Sequence, residues 1–511
     1  MNGPSDGDVR VADGIHELAR DVSHAAYHSP DMAPTTLAQR KWGLRDIAAL
    51  WISMAACIPT YMLASSLIDQ GMNWWQAVLT IFLANVIVLI PMVMNAHAGT
   101  KYGIPFPVYC RASFGIRGAN VPAMLRALVA CGWFGIQTWI GGGAIYTILA
   151  IWFPGWHDSP KTLGINLPQF LSFMLFWAIN VIVIWRGIDT IRFLLNIKAP
   201  LLVALGLLLL YWAYRKAGGF GPMLSQPSQF VPGGPKAGQF WGAFFPGLTA
   251  NVAFWATLSL NIPDFSRYAY SQRDQIVGQA LGLPTTMALY SFIGVAVTSA
   301  TIVIYGSAIW DPVLLLAKFQ NPFLLVIAML ALCLATLATN IAANVVSPAN
   351  DFAHLWPRKI SFRTGGLITG VIGIVMMPWK LIETSEGYIY TWLIAYSLLL
   401  GSVGGVLIAD YFLLRRTRLD LAGLYVREGP YWFLAGFNAR ALVALAVGIA
   451  PCVPGFMAKL GLRYVPEDAP DVWVRMYDYA WFIAFGIAFI VYSLLTLAFP
   501  PPARSRGHVH T

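Results

Sequence analysis

The sequence predicts an all-α integral membrane protein with twelve transmembrane helices. Three observations predict it. Of 511 residues, 58% are apolar and 11% are charged, against about 25% charged in an ordinary soluble domain. The mean hydropathy is +0.62. Apolar stretches long enough to cross a bilayer, about 20 residues each, recur twelve times. So little polar surface excludes a soluble enzyme, a disordered scaffold and a nucleic-acid-binding module.

The spans fall near 46–68, 75–97, 121–151, 168–187, 190–213, 240–262, 279–305, 321–345, 364–379, 387–412, 437–457 and 475–499. The chain divides into an N-terminal tail (1–45), a first five-helix repeat (46–213), a second, inverted one (240–412), helices eleven and twelve (413–499) and a C-terminal tail (500–511). The polar first 45 residues hold no apolar core of a signal peptide. Disorder is expected over about 1–35 and 500–511.

Basic residues set the orientation. With the N-terminus in the cytoplasm, 24 of the 33 Lys and Arg fall on cytoplasmic segments. That bias predicts an even number of spans, both termini cytoplasmic, in the inner or plasma membrane. Charge runs such as Arg415-Arg416 are read as topology signals. The five cysteines form no C-x-x-C pair and are read as reduced thiols. The chain has no Gly-Lys dipeptide and hence no Walker A loop, which argues against ATP-driven transport.

Two spans carry interruptions. Span one has Pro59 in mid-helix, and span six has Pro246-Gly247 inside its apolar run. Proline removes a backbone donor and clashes with the preceding turn. An ordinary kink is one reading of each. Their matching positions point instead to two five-helix halves whose broken helices meet near the midplane, where freed backbone groups can bind an ion or polar solute. The patterns Gly366-x-x-x-Gly370 and Gly401-x-x-x-Gly405 are read as close helix packing.

Polar residues inside spans are costly and mark packing or function. Trp133 and Gln137, four apart in span three, share a helix face, and Gly141 to Gly143 follow. Span eight holds Thr336, Thr339, Asn340 and Asn344. Span six carries Trp255, followed by Asn261 and Asp264. A packed Trp and a Gln bonded to another helix would explain the same pattern without a ligand. Charged residues are missing from the centres of spans one, three, six and eight, so the solute is expected to be neutral. Asp264, Asp351 and Asp410 sit near span ends and are read as loop or gate residues.

These motifs carry a family resemblance. GIPFPVYCRASFGIRGAN (103–120), WFGIQTWIGG (133–142), FWATLSLNIPDFSRYAYSQRDQ (254–275) and TNIAANVVSPANDF (339–352) stand in order, followed by ISFRTGGLITG (360–370). The chain resembles the nucleobase:cation symporter-1 family from about residue 30 to 500, most closely its allantoin, uracil and hydantoin branch. The resemblance implies a fold of twelve transmembrane helices in a five-plus-five inverted repeat with discontinuous helices one and six, plus two C-terminal helices, and a cation-coupled importer of a neutral planar nitrogen heterocycle, working by alternating access. A cytosine, nucleoside or thiamine-like carrier of the same family is the alternative. The implied substrate site comprises Trp133 and Gln137, Trp255 with its neighbour Phe254, and Asn344, with Asn340 beside it. Cys57 occupies the position in span one where many members carry Gln or Asn. The implied sodium site uses the carbonyls of Ser53, Ala56 and Ala335 and the hydroxyl of Thr339, with Ala338 in place of a second hydroxyl. The coupling ion is expected to be Na+ or H+. The further expectations are no cofactor, no nucleic acid, membrane lipid around the helices and a monomer.

Overall fold

The computed structural model describes residues 9–500 apart from 21, 23, 26, 29, 187, 356–358 and 466–470. The first eight residues, Arg358 and 501–511 of the expected C-terminal tail, with Arg504 and Arg506, lie outside the described residues.

The chain is helical, with two small hairpins. One of them corrects the expectation of disorder over 1–35. Strands β1 (Val9–Ala12) and β2 (Ile15–Leu18) pair antiparallel. Their Asp13-Gly14 turn has φ of 50° and 76°, a pair suited to a tight hairpin. Four-residue strands are too short to stand out in a polar sequence. Tertiary contacts hold them: Arg40 Nη2 donates to the His16 carbonyl at 2.9 Å, and His16 packs on Tyr102.

Span one is two half-helices, α1 (Leu44–Ala55) and α2 (Ile58–Asp69), bent by 59° at Ala56-Cys57. Pro59 explains the break. Its ring would clash with the carbonyl four residues earlier, on Ala55, where α1 stops. Helices α3 (Trp74–Tyr102), α4 (Phe106–Phe114), α5 (Asn120–Ala150), α6 (Leu167–Arg186) and α7 (Ile188–Ala217) follow, with the second hairpin, β3 (Lys161–Thr162) and β4 (Ile165–Asn166), before α6.

Span six departs from expectation. Helix α8 (Phe240–Phe254) runs straight through Pro246, and the break before α9 (Ala256–Asn261) falls at Trp255 (φ −98°, ψ 2°). The rest of the chain forms α10 (Gln272–Tyr305), α11 (Pro322–Asn344), α12 (Val346–Leu355), α13 (Phe362–Val375), α14 (Ile394–Ile408), α15 (Ala439–Ile449) and α16 (Ala480–Ala498). Among the described residues, eight helices are long and apolar enough to cross a membrane, nine with the α1–α2 pair as one span. Helix α7, the split α8–α9 and the 14-residue α13 occupy the other expected segments.

The helices sort into two groups. Helix α10 packs on α1, α2 and α3, while α8 and α9 lie against α3. In the second group, α5 takes α6, α11, α12 and α13 around it. Helix α7 leans on both α10 and α11, and α14 is joined to α16. Small residues allow the closest approaches, as expected in a bilayer where apolar burial alone favours no contact. A Cβ on Gly142 would sit 2.6 Å from the Phe173 Cα of α6, and one on Gly401 would sit 2.8 Å from the Trp481 carbonyl oxygen of α16.

Buried charge also shapes the fold. Asp410, read from sequence as a loop or gate residue, is 2% exposed and pairs with Arg415 at 2.6 Å. It also accepts from Ser113 and Tyr492. Arg415 is therefore an internal ion-pair partner as well as a topology signal.

Replacing Gly142 by Leu is expected to force α5 and α6 apart and cost about 1–3 kcal/mol. A lowered thermal midpoint in detergent checks this, with Gly486→Leu, which meets open space, as the control.

Candidate functional site

The two groups enclose a cavity of about 370 Å³ at the level of the helix breaks. Helix α1 contributes Ser53 and Met54 to its wall, and the break contributes Cys57. Trp133 and Gln137 reach it from α5, one turn apart. Phe254, Trp255 and Thr257 come from the second break, and Thr339 and Asn344 from α11. At one end the wall includes Trp42 and Phe265, beside the N-terminal segment.

Aromatic packing holds the two indoles. Trp133 makes T-shaped contacts with Phe254 at 5.4 Å, Trp392 at 5.7 Å and Tyr388 at 6.2 Å. Trp255 is edge-on to Trp51 at 5.3 Å and to Phe254 at 5.0 Å. Phe254 thus touches both indoles. Behind Pro59, which lines the cavity, Tyr388 stacks on Trp310 at 6.1 Å and donates its hydroxyl to the Pro59 carbonyl at 3.3 Å. Beyond it, Ser385 links Asp69 and Gln70 at the end of α2.

The polar atoms of this wall are few and specific. The Gln137 amide oxygen and the Trp255 indole N–H are buried without a protein partner. An unpaired buried group costs about 1–3 kcal/mol. A ligand offering both a donor and an acceptor recovers that cost, and a charged one meets no counter-ion on the wall. Asn344 lines the cavity and donates backward to Asn340 Oδ1 at 3.1 Å.

Asn340 itself is not in the wall. Its amide nitrogen bonds the Phe134 carbonyl at 3.2 Å, Thr138 at 3.1 Å and Asn180 at 3.2 Å. It anchors Asn344 and holds α11 to α5 and α6. Its spacing from Asn344 puts both on one helix face, and only the neighbouring helices distinguish the two roles.

The expected sodium ligands are partly assembled. Ser53 and Thr339 line the cavity, and Ala56 and Ala335 lie buried beside it. Thr339 already donates to the Ala335 carbonyl at 2.9 Å. Ala338 packs into an apolar cluster with Phe134, Ile184 and Ile341. With Ala338 in place of a second hydroxyl, the expected set keeps the Thr339 hydroxyl, which is engaged with the Ala335 carbonyl.

Trp42, Thr257, Tyr388 and Trp392 were missed in the sequence. Tyr388, Trp392 and Tyr396 recur every four residues, the one signal that could have placed an aromatic face there.

The comparisons with known proteins agree with this architecture. A family model described as "Permease for cytosine/purines, uracil, thiamine, allantoin" matches residues 34–484. The purine-uracil permease of Arabidopsis thaliana is 48% identical over 91% of this chain and 77% of its own. The allantoin permease of Bacillus subtilis is 40% identical, covering 92% and 93%. The hydantoin permease of Microbacterium maritypicum is 30% identical, covering 85% and 86%. Among solved structures, Mhp1 in an inward-facing conformation aligns with a TM-score of 0.76 at 26% identity, over 96% of this chain and 97% of that one. Mhp1 closed around bromovinylhydantoin, described as a nucleobase-cation-symport-1 family transporter, aligns at 0.72 and 27% identity, over 93% and 97%. This chain is a multi-pass membrane transporter, not an enzyme, and belongs to the nucleobase:cation symporter-1 family of permeases.

Proposed function

We propose that the chain imports a neutral planar nitrogen heterocycle of the allantoin, uracil or hydantoin type, driven by a cation gradient. The unpaired Gln137 oxygen and Trp255 N–H beside two indoles carry this reading. An imide or ureide edge presents N–H and C=O side by side, which matches that pair, while the indoles suit the flat face of a ring. Asn344, held by Asn340, supplies a third polar contact.

The cycle is alternating access between the two helix groups, in a twelve-span, five-plus-five inverted repeat whose broken helices meet at the cavity. The chain works as a monomer surrounded by lipid, in the cell membrane with both termini in the cytoplasm. The proton is the favoured coupling ion, because Ala338 leaves the sodium ligand set short of a hydroxyl.

Uptake into energised vesicles with a panel of labelled heterocycles tests this. Gln137→Ala and Asn344→Ala are expected to lower saturable uptake by at least about tenfold, the value of one lost 1.4 kcal/mol contact, with normal insertion. Unchanged uptake in both variants sinks the site, and preferential competition by cytosine, uridine or thiamine moves the solute class. Uptake is expected to persist without sodium. Asn340→Ala should act on stability, lowering the thermal midpoint through the loss of its three bonds to α5 and α6.

A further inference from the structure

Below the cavity, on the side of Trp42, one buried guanidinium joins the two helix groups. Arg126 of α5 is 1% exposed. Its Nη1 donates to Asp351 Oδ2 of α12 at 3.2 Å, and both side chains are nearly inaccessible. Asn261 stands at the end of α9. With its amide oxygen turned to Arg126 it accepts from Nη2 at 2.9 Å, and its nitrogen donates to the Thr257 carbonyl at 2.8 Å. The network of donors and acceptors assigns that orientation. Thr257 is a wall residue of the cavity. Three residues after Asn261, Asp264 accepts from the Phe106 amide at 2.8 Å. A continuous chain of bonds therefore runs from the cavity wall to a buried carboxylate, crossing from one helix group to the other.

Charge makes this chain unusual. Asp351 faces the fully buried Arg126, and the half-buried Asp264 feels Arg267 first and Arg126 second. Arg267 acts on Asp264 from outside the chain. The other titratable neighbours are the thiols of Cys110 on α4 and Cys131 on α5, which are ordinarily neutral at pH 7. Taking the Asp351 carboxylate out of water is costly even beside Arg126, and a proton on it removes the buried charge. We propose that Asp351 is the proton carrier of the transport cycle, with Asp264 tuning it and the Asn261–Thr257 link conveying its charge state to the cavity. This rests on the proposed coupling to a cation gradient and names the group that binds the cation.

The Asp351 carboxyl is pushed up to about 7, by burial first and by the Asp264 charge, against the pull of Arg126. Burial also raises Asp264. A proton arriving through the cavity forms a carboxyl O–H on Asp351 and later leaves to water on the other face. No bond to the solute forms or breaks. While charged, Asp351 holds Arg126 within the α5–α12 group. Once neutral, it frees the guanidinium to bind Asn261 and Asp264 more strongly, drawing α9 onto α5 and closing the Trp42 end. Loss of the proton reverses this and opens that end.

The test uses the full chain in liposomes. Infrared difference spectra across a pH titration read the C=O stretch of a protonated carboxyl and need no solute. One band is expected to titrate near the value of about 7 and to vanish in Asp351→Asn. Asp264→Asn removes a neighbouring negative charge, so the midpoint should move to lower pH. A merely structural ion pair stays ionised through the titration and gives no such band. Asp311, pushed up to about 6 by burial, should give a separate band that neither variant alters. In parallel, a one-unit pH gradient can drive up to about tenfold accumulation of labelled allantoin or uracil per coupled proton. The ratio of accumulation to equilibrium exchange should fall by about that factor in Asp351→Asn. Asp351→Glu, which restores a carboxyl, should recover both signals and serves if the Asn variant folds poorly. A wild type without the band, a band that survives Asp351→Asn, or an undiminished ratio overturns the proposal. If no solute of the panel exchanges in wild type, the solute reading fails, and the infrared result still decides on Asp351.

Discussion

Backbone satisfaction in a medium without water is the constraint on which the rest of this structure depends. Hydrocarbon offers no partner to a free N–H or C=O, so a spanning helix is broken only where protein or a cavity covers the break. Here both breaks, at Ala56-Cys57 and at Trp255, border the same cavity. The helix groups on either side exist, in this sense, to cover them. Helix α10 shields α1 and α2, and α5 with α11 closes the opposite wall.

The same constraint shapes the chemistry of the wall. A cavity inside a low-dielectric bundle cannot hold an unpaired charge cheaply. Its polar atoms are amides, hydroxyls and indole N–H groups, and those without partners set what binds. Charge is present in the molecule but is placed below the cavity, at Arg126 and Asp351, and away from its wall, at Asp410 and Arg415. In the proposed cycle, a neutral solute site above a buried charged network divides two tasks, recognition and coupling, between two levels of one helix bundle. Asn261 stands between them.

Much of this was legible in the sequence, and particular residues show why. Pro59 announces its break because the defect is chemical: a missing donor and a ring clash in the chain itself. Trp255 gives no such signal. Its break arises from packing, with the indole held between Trp51 and Phe254, while the helix continues through Pro246. The pairing of Trp133 with Gln137 was readable from helical spacing. Asn340 and Asn344 have the same spacing and opposite roles, because Thr138 and Asn180 from other helices claim one of them.

By itself, then, the sequence determined the solvent of this protein, its helical character, the break at Pro59 and the residue types available for a neutral, flat, hydrogen-bonding cargo. Each of these follows from composition, local stereochemistry or periodicity, which act along the chain. Only the tertiary structure decided which polar groups face the cavity, where the second break lies, and that carboxylates expected at gates are buried against arginines. Those outcomes depend on contacts between residues far apart, such as the 225 positions separating Arg126 from Asp351. Desolvation, the force that sets a buried carboxyl apart from an exposed one, exists only once the helices have packed.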